Sequence, residues 1–325
     1  MSGNILREPI VGIISPFYDV EPYIKEYLNS ISNQTYINFR VFCTDDGSPD
    51  NCGKILDYYA VKEKRLTVIH QASSGYNSAL NASLDSALHD PHIDFITFID
   101  PDDFVEPKFI ETMVSQAIEN DADITTVNFF RDKGDKSEIM VNSKCIPCIF
   151  TDKTLAFEYG FESDVYRGYK MYLWNKMFRA SLFRGKLRMR PDLSTGADSL
   201  LTAQCILLAN KFAYSNAPLY HYRIRENSIM RSKSFKKRLG FDVALEEIVT
   251  LLNNKNFPNR TKSLVKRFHT YYLSQLAEYA YAIKDKEALK YSKDKINLFL
   301  KDYYLSSKEY PERLERIDKI LQLNL

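Results

Sequence analysis

The residues from Phe95 to Pro107 read "FITFIDPDDFVEP". An almost wholly apolar run ends in Asp100, Asp102 and Asp103. Carboxylates this close repel one another, and each is costly to remove from water without a partner. A positive group is therefore expected among them. Mg²⁺ or Mn²⁺ suits the place, because such ions take oxygen ligands, keep several waters and are commonly held by one or two carboxylates plus substrate phosphates. The same residues suit a simpler task, since Asp102 or Asp103 would cap a helix starting near Glu106. A second acidic pair, Asp45–Asp46, closes the apolar run "FRVFC" and its Thr44.

The elements that must carry these residues follow from periodicity. Strands are expected over 10–15, 39–45, 65–70, 94–100 and 123–130, with helices over 21–33, 51–64, 76–88 and 107–119 between them. Such alternation argues for an α/β fold with a mostly parallel, Rossmann-like sheet and helices on both faces. Ligands of these sheets bind beyond the carboxyl ends of the strands. Asp45–Asp46 and Asp100–Asp102–Asp103 would then face one crevice. Beyond Lys133 the pattern loosens. Residues 138–150 read as an irregular strand pair, 174–183 as a short strand turning into a helix, 195–210 as a helix and 217–225 as a strand. After Ser232 all is helical. Phe241, Leu245, Ile248 and Leu252 form one stripe, and Leu264, Phe268, Tyr272, Leu276, Tyr279 and Ile283 another, linked near Pro258. The expected division is a body over 1–230, with halves 1–132 and 133–230, and a helical region over 231–325.

Composition fits a folded protein: 45% of the 325 residues are hydrophobic and the formal charge is +2. That small charge hides an asymmetry. Residues 1–230 carry 24 Lys and Arg against 30 Asp and Glu, whereas residues 231–325 carry 20 against 12. The basic tail suits an anionic partner, a membrane surface included, or a solvated helical face. The opening "MSGNILREPIVGIIS" lacks a long apolar core with a cleavage site, and no run of about 18 apolar residues occurs. A cytoplasmic protein is expected, or one peripheral on the inner face of the membrane. Five scattered cysteines suit reduced thiols. Cys145 and Cys148 form a lone C-x-x-C with no second pair, a weak metal or redox signal.

Larger stretches carry a resemblance. "SPFYDVEPYIKEYLNSISNQTYINFRVFCTDDGSPDN", "VIHQASSGYNSALNASLD", "FIDPDDFVEP", "WNKMFRASLF" and "ADSLLTAQCILLANKFAYSNAPLYHYRIRENSI" resemble, in order and spacing, the segments of glycosyltransferase family 2. The resemblance spans about residues 10–230. It implies a GT-A fold and transfer of a sugar from a UDP-sugar, with inversion, to a hydroxyl of a cell-surface glycan or lipid-linked acceptor. It makes residues 1–132 the nucleotide-binding half and 133–230 the acceptor half. Pro16 and Tyr18 would lie against the base, Asp45 would hydrogen-bond it with Asp46 close behind, and Asp100 would lie near the ribose. Asp102 matches the metal ligand, for Mn²⁺ or Mg²⁺, and His221 is a candidate to complete its shell. Asp103 would order the loop or lie near a sugar.

Asp198 matches the general base that takes the acceptor's proton. Its position also suits a carboxylate at a helix N-terminus, worth about 0.3–1 kcal/mol. Trp174 would stack on a sugar or pack in the core. The chain departs from the family at Ala197, where Glu often precedes the Asp, and at Leu80, where Arg is common. Arg223 or Arg225 would then supply the missing cation. The basic helices would hold a phosphate-bearing acceptor, an anionic membrane or a second copy of the chain, with no nucleic acid expected.

Three rivals stay open. A nucleotidyltransferase would carry a Gly-rich loop after the first strand, where "SPFYDVEP" stands. A phosphatase of the Asp-x-Asp type would carry its motif after the first strand rather than the fourth. A non-catalytic nucleotide-sugar-binding or scaffold subunit would explain the changes at Leu80 and Ala197.

Overall fold

The computed structural model describes residues 7–140, 147–161, 170–225, 234–306 and 311–325. Its first part alternates as expected: β1 (Ile10–Phe17), α1 (Glu21–Ser32), β2 (Phe39–Asp45), α2 (Cys52–Lys62), β3 (Leu66–His70), α3 (Tyr76–His89), β4 (Ile93–Phe98), β5 (Phe104–Val105), α4 (Phe109–Asn120) and β6 (Ile124–Lys133). Then come β7 (Lys136–Ile139), β8 (Cys148–Phe150), α5 (Lys153–Phe161), β9 (Lys176–Arg179), α6 (Ala197–Leu208) and β10 (Phe212–Arg223). The chain closes with α7 (Phe235–Asn254), α8 (Asn259–Ala282), α9 (Lys286–Ser306) and α10 (Pro311–Leu321).

Among the described residues one sheet runs in the order β3-β2-β1-β4-β9-β6-β10-β5, with β7 on β6 and β8 on β10. β3, β2, β1 and β4 are parallel neighbours, as are β6 and β10. β9 lies antiparallel between β4 and β6. The chain leaves β1 for β2 on one side and later enters β4 on the other. That reversal opens a crevice at the strands' carboxyl ends, where Asp45 and Asp100 follow β2 and β4.

The apolar runs are buried on both faces, yet their side chains alternate. Phe39, Val41 and Cys43 of β2 join Ile24, Leu28, Met113 and Ala117 from α1 and α4 in one cluster. Phe42 of β2 and Ile96 and Phe98 of β4 join Leu80 and Leu84 of α3, with Leu200 and Leu201 of α6, in the other. α3 crosses β1 at Gly12, where an added Cβ would lie 3.0 Å from Ile96 Cδ1 and 3.6 Å from the Ala87 Cβ.

Two expectations are corrected. Among the described residues of 138–150 no two strands pair with each other: β7 bonds to β6 and β8 to β10, with 141–146 outside the described residues. Cys145 of the C-x-x-C lies there too, while Cys148 is half-buried on β8. The strand expected over 217–225 begins earlier, at Phe212, with register shifts between Tyr214 and Tyr220.

Helices α7 and α8 share the body's core, while α9 and α10 pack with the rest of α8 in a cluster of their own. Ala244, Leu245, Ile248 and Leu252 of α7, with Leu264 and Val265 of α8, belong to the same cluster as α3 and α6. The contact is tightest at two glycines. A Cβ on Gly240 would lie 2.8 Å from the backbone N and O of Thr195, and one on Gly196 would lie 2.8 Å from the Phe241 Cα. Gly196 also has φ +81°, which L side chains rarely adopt. Thr195 Oγ1 donates to the Lys237 carbonyl and accepts from the Phe241 N–H.

A buried polar knot joins α7, α8 and α9. Asp242 is fully buried, and its Oδ1 meets His269 Nε2 at 2.5 Å. Its Oδ2 accepts from the Tyr291 hydroxyl at 2.5 Å and lies 3.2 Å from Lys295 Nζ. Burial pushes the Asp242 carboxyl up, but the bonds from His269 and Tyr291 and the nearby charges outweigh it, so its pKa is lowered. Removing one member of such a cluster strands the others, at about 3–5 kcal/mol. Asp242→Ala should therefore lower the unfolding free energy by about that amount, read as a fall in the denaturant midpoint. A folded pKa below the unfolded value, about 3.9, gives stability that is present above that value and lost as pH falls through the folded one. The wild type should thus lose a component on acidification that Asp242→Ala lacks. An unchanged midpoint would show that the knot contributes nothing.

Candidate active site

β2 delivers Asp45 to the crevice, 8% exposed. Its Oδ1 accepts the Ser48 N–H at 3.1 Å, and its Oδ2 lies 3.1 Å from His70 Nδ1. Asp57 on the other ring nitrogen, and then Asp45, raise the His70 pKa. α2 begins close behind, for a Cβ on Gly53 would lie 2.6 Å from Asp45 Oδ2. Asp46 turns the other way and accepts from Gln71 Nε2 (2.7 Å), the Ser74 N–H (2.9 Å) and the Gly75 N–H (2.8 Å). Burial raises its pKa, but these donors together outweigh it and hold the carboxyl below its ordinary value. Asp46 thus fastens the loop that leads into α3. Pro16 is buried at the end of β1, and Tyr18 is 52% exposed just past it.

β4 delivers the second acidic group one strand beyond β1, so the two sets stand about 10 Å apart across the sheet. Asp100 Oδ1 accepts from the Tyr76 hydroxyl at 2.6 Å. Burial, then the charge of Asp102, push its pKa up to about 7, with Asp198 adding and with Tyr76 and Arg225 opposing. Asp102 faces Arg225, whose Nε lies 2.5 Å from Oδ2 as an ion contact without hydrogen-bond alignment. Asp103 is buried, accepting from the Tyr220 hydroxyl (2.8 Å) and the Arg223 N–H (2.8 Å). Burial, with Asp102 and Asp100 adding, raises its pKa well above the usual range.

The segment leading to α6 is laid along α3. Asn77 Nδ2 donates to the carbonyls of Arg190 and Leu193, and Asn81 exchanges bonds with the backbone of Met189. The loop so held ends at Gly196, and Asp198 follows in the first turn of α6. Burial raises the Asp198 pKa, while backbone donors at the helix start and the charge of Lys176 oppose it. Asp198 is close enough to Asp100, Tyr76 and Tyr172 for its charge to act on them. Lys176 lies fully buried beneath, bonded to Asn175 Oδ1 and to the Lys170 carbonyl. Burial pulls its pKa down to about 7 against the attraction of Asp198.

Other candidates sit elsewhere. His221 is not poised as a metal ligand: Nε2 lies 2.9 Å from Glu106 Oε1 and Nδ1 2.8 Å from Asp132 Oδ2, and the ring is stacked on Phe104 and Phe130. Its neighbours Tyr220 and Tyr222 take the opposite face, as strand alternation requires. Trp174 is 9% exposed, with Tyr172 (4.8 Å) and Tyr222 (5.4 Å) stacked on it, so no sugar reaches it without displacing them. Asp103 is likewise fully engaged and does not offer an oxygen to a sugar. Arg223 pairs with Glu26 and lies over Tyr23, the ring that Arg225 also covers. The sequence reading missed Tyr76, Tyr220 and the asparagines of α3; alternation in "LYHYR" and helical spacing in "YNSALN" are the signals that point to them.

A family model for glycosyl transferase family 2 matches residues 12–178, about half of the chain. The chain belongs to glycosyltransferase family 2. Among curated relatives, "Glycosyltransferase GlyA" of Streptococcus pneumoniae is 30% identical over 260 residues, covering 78% of this chain and 36% of its own length. The chain thus spans about a third of that relative. The structure of S. aureus TarS 1-349 in complex with UDP-GlcNAc aligns at TM-score 0.67 and 18% identity, covering 94% of this chain and 92% of that one. The mannosyltransferase PcManGT of Pyrobaculum calidifontis, in complex with GDP-Man and Mn²⁺, aligns at 0.54 and 13%, covering 98% and 88%. These likenesses show the fold. The match of the family model ends at Phe178, so Asp198, Arg223 and Arg225 lie beyond it.

Leu80 and Ala197, the two departures singled out in the sequence, are both buried in the cluster that α3 shares with α6. Leu80 is buried in the core beneath α3 and so presents nothing to the crevice. Arg225 stands against Asp102 instead. Ala197 is also buried, at 3% exposure. Whether a divalent ion fits depends on the donor set. Among the described residues no three ligating side chains converge into a cage. Asp102, 17% exposed at its side chain and beside Asp100, fits an ion that takes one or two carboxylates and completes its shell with water and phosphate oxygens.

Proposed function

We propose that the chain transfers a sugar from a UDP-sugar to a hydroxyl of a cell-surface glycan or lipid-linked acceptor, with inversion at the anomeric carbon. The observation that carries this reading is the placing of Asp45 at the carboxyl end of β2 and of Asp100 and Asp102 just past the carboxyl end of β4, with Asp198 close enough for its charge to act on Asp100. The TarS complex with UDP-GlcNAc supports a uridine nucleotide as donor.

In this reading Pro16 and Tyr18 flank the base, Asp45 accepts a hydrogen bond from it, and Asp46 holds the adjoining loop. Asp100 takes the ribose, and Asp102 holds Mg²⁺ or Mn²⁺. A bound ion of this kind offsets the negative charge that grows on the departing diphosphate. Arg225, released from Asp102, turns its guanidinium to the same phosphates. Asp198 accepts the proton of the acceptor hydroxyl as that oxygen attacks from the face opposite the diphosphate. The basic helices after Ser232 are assigned to a phosphate-bearing or lipid-linked acceptor, to an anionic membrane surface or to a second chain. Among the described residues no helix is long and apolar enough to cross a membrane.

The test is UDP release from a panel of UDP-sugars with Mn²⁺ and candidate polyol and glycan acceptors. Acceptor-dependent release from at least one donor is expected. UDP binding without turnover on any pair would turn the assignment to a non-catalytic nucleotide-sugar-binding subunit.

A further inference from the structure

Tyr76 opens α3 inside the crevice. Gly75, at φ +95°, turns the chain there and gives its N–H to Asp46. The ring is 37% exposed, and the hydroxyl donates to Asp100 Oδ1 at 2.6 Å. The charges of Asp198 and Asp102 reach the same phenol. Asp100 has its backbone fixed as well, its N–H donating to the Tyr220 hydroxyl at 3.1 Å. The carboxylate is therefore held in place, half-buried, with a partly exposed tyrosine hydroxyl on one of its two oxygens.

We propose that Tyr76 is a positioning residue that competes with the nucleotide's ribose for Asp100, and so sets how tightly the nucleotide is held and how readily UDP leaves. This rests on the reading of Asp100 as the ribose contact. A ribose hydroxyl approaching from the crevice meets an oxygen already bonded to the phenol. Nucleotide entry exchanges one hydroxyl for the other, and the returning phenol favours product departure. The ring stays as a wall of the donor site, so loss of the hydroxyl alone isolates the competition.

Tyr76→Phe keeps the ring and removes the donor. Calorimetry should show UDP bound about tenfold more tightly, the size of one net hydrogen bond. KM for the donor should fall by a similar factor while kcat falls with slower UDP release. A purely structural tyrosine would move both the other way, weakening UDP and lowering the melting temperature. Asp100→Asn and the double variant separate the two readings. Weaker UDP binding in Asp100→Asn, with no further gain on adding Tyr76→Phe, is the expected pattern. Asp100→Asn without effect on UDP would overturn the ribose reading and the proposal with it. Asp100→Asn weakening UDP while Tyr76→Phe fails to tighten it would leave the ribose reading standing and overturn the competition alone.

Discussion

Replacing Asp198 by Asn should lower sugar transfer about 10²–10⁴-fold, the usual contribution of a positioned general base, with UDP affinity unchanged. The amide keeps the shape and the helix-start contacts but does not accept a proton. The pH profile gives a second readout. Burial holds the Asp198 carboxyl above the ordinary carboxylate range, and only the ionised form serves as base. Transfer should therefore decline as pH falls through that raised value, at a higher pH than an exposed Asp near 3.9 would give. The residual activity of Asp198→Asn should lack that limb. Full activity in the variant, or an identical acid limb, would remove Asp198 from the reaction and leave its carboxylate as a helix-end charge.

Asp102→Ala should cost about 10³-fold in UDP release, the scale of several kcal/mol of charge stabilisation on the leaving diphosphate. Its binding signature should be more telling than the rate. In the wild type, Mn²⁺ should add to the thermal shift that UDP produces. In Asp102→Ala that increment should vanish, while UDP alone binds as well as before or better. The reason is Arg225, now 2.5 Å from the Asp102 carboxylate; without that partner its charge is free to meet phosphate. An intact Mn²⁺ increment in the variant would mean that the ion is held elsewhere.

Much of this arrangement was legible in the chain. The strand–helix alternation through residue 133 is carried by local periodicity, and the carboxylates are informative because they close strands whose ends lie together in any such sheet. What was not legible depends on tertiary choice. β9 takes an antiparallel slot between β4 and β6 although nothing in "KMFR" names its neighbours. The two-residue β5 exists through its bonds to Tyr220 and His221. His221 looked suitable as a ligand by residue type, yet strand alternation turns it away from Asp100 and toward Glu106 and Asp132. Trp174 was ambiguous for the same reason: an aromatic before a strand reads alike whether its neighbours cover it or not. Lys176 shows the limit from the other side, a charged residue whose full burial beneath the crevice no pattern of hydropathy announces.

The absence of side chains at Gly196 and Gly240 has a consequence for how the two ends of the molecule communicate. At Gly240 the backbone of Thr195 fills the space a side chain would take, and at Gly196 the ring and Cα of Phe241 do so, so α7 lies close against the turn before Asp198. A displacement of α7 would therefore reach the start of α6. In the proposed reading, where the acceptor rests on the C-terminal helices, its seating and the aim of Asp198 are linked through this contact.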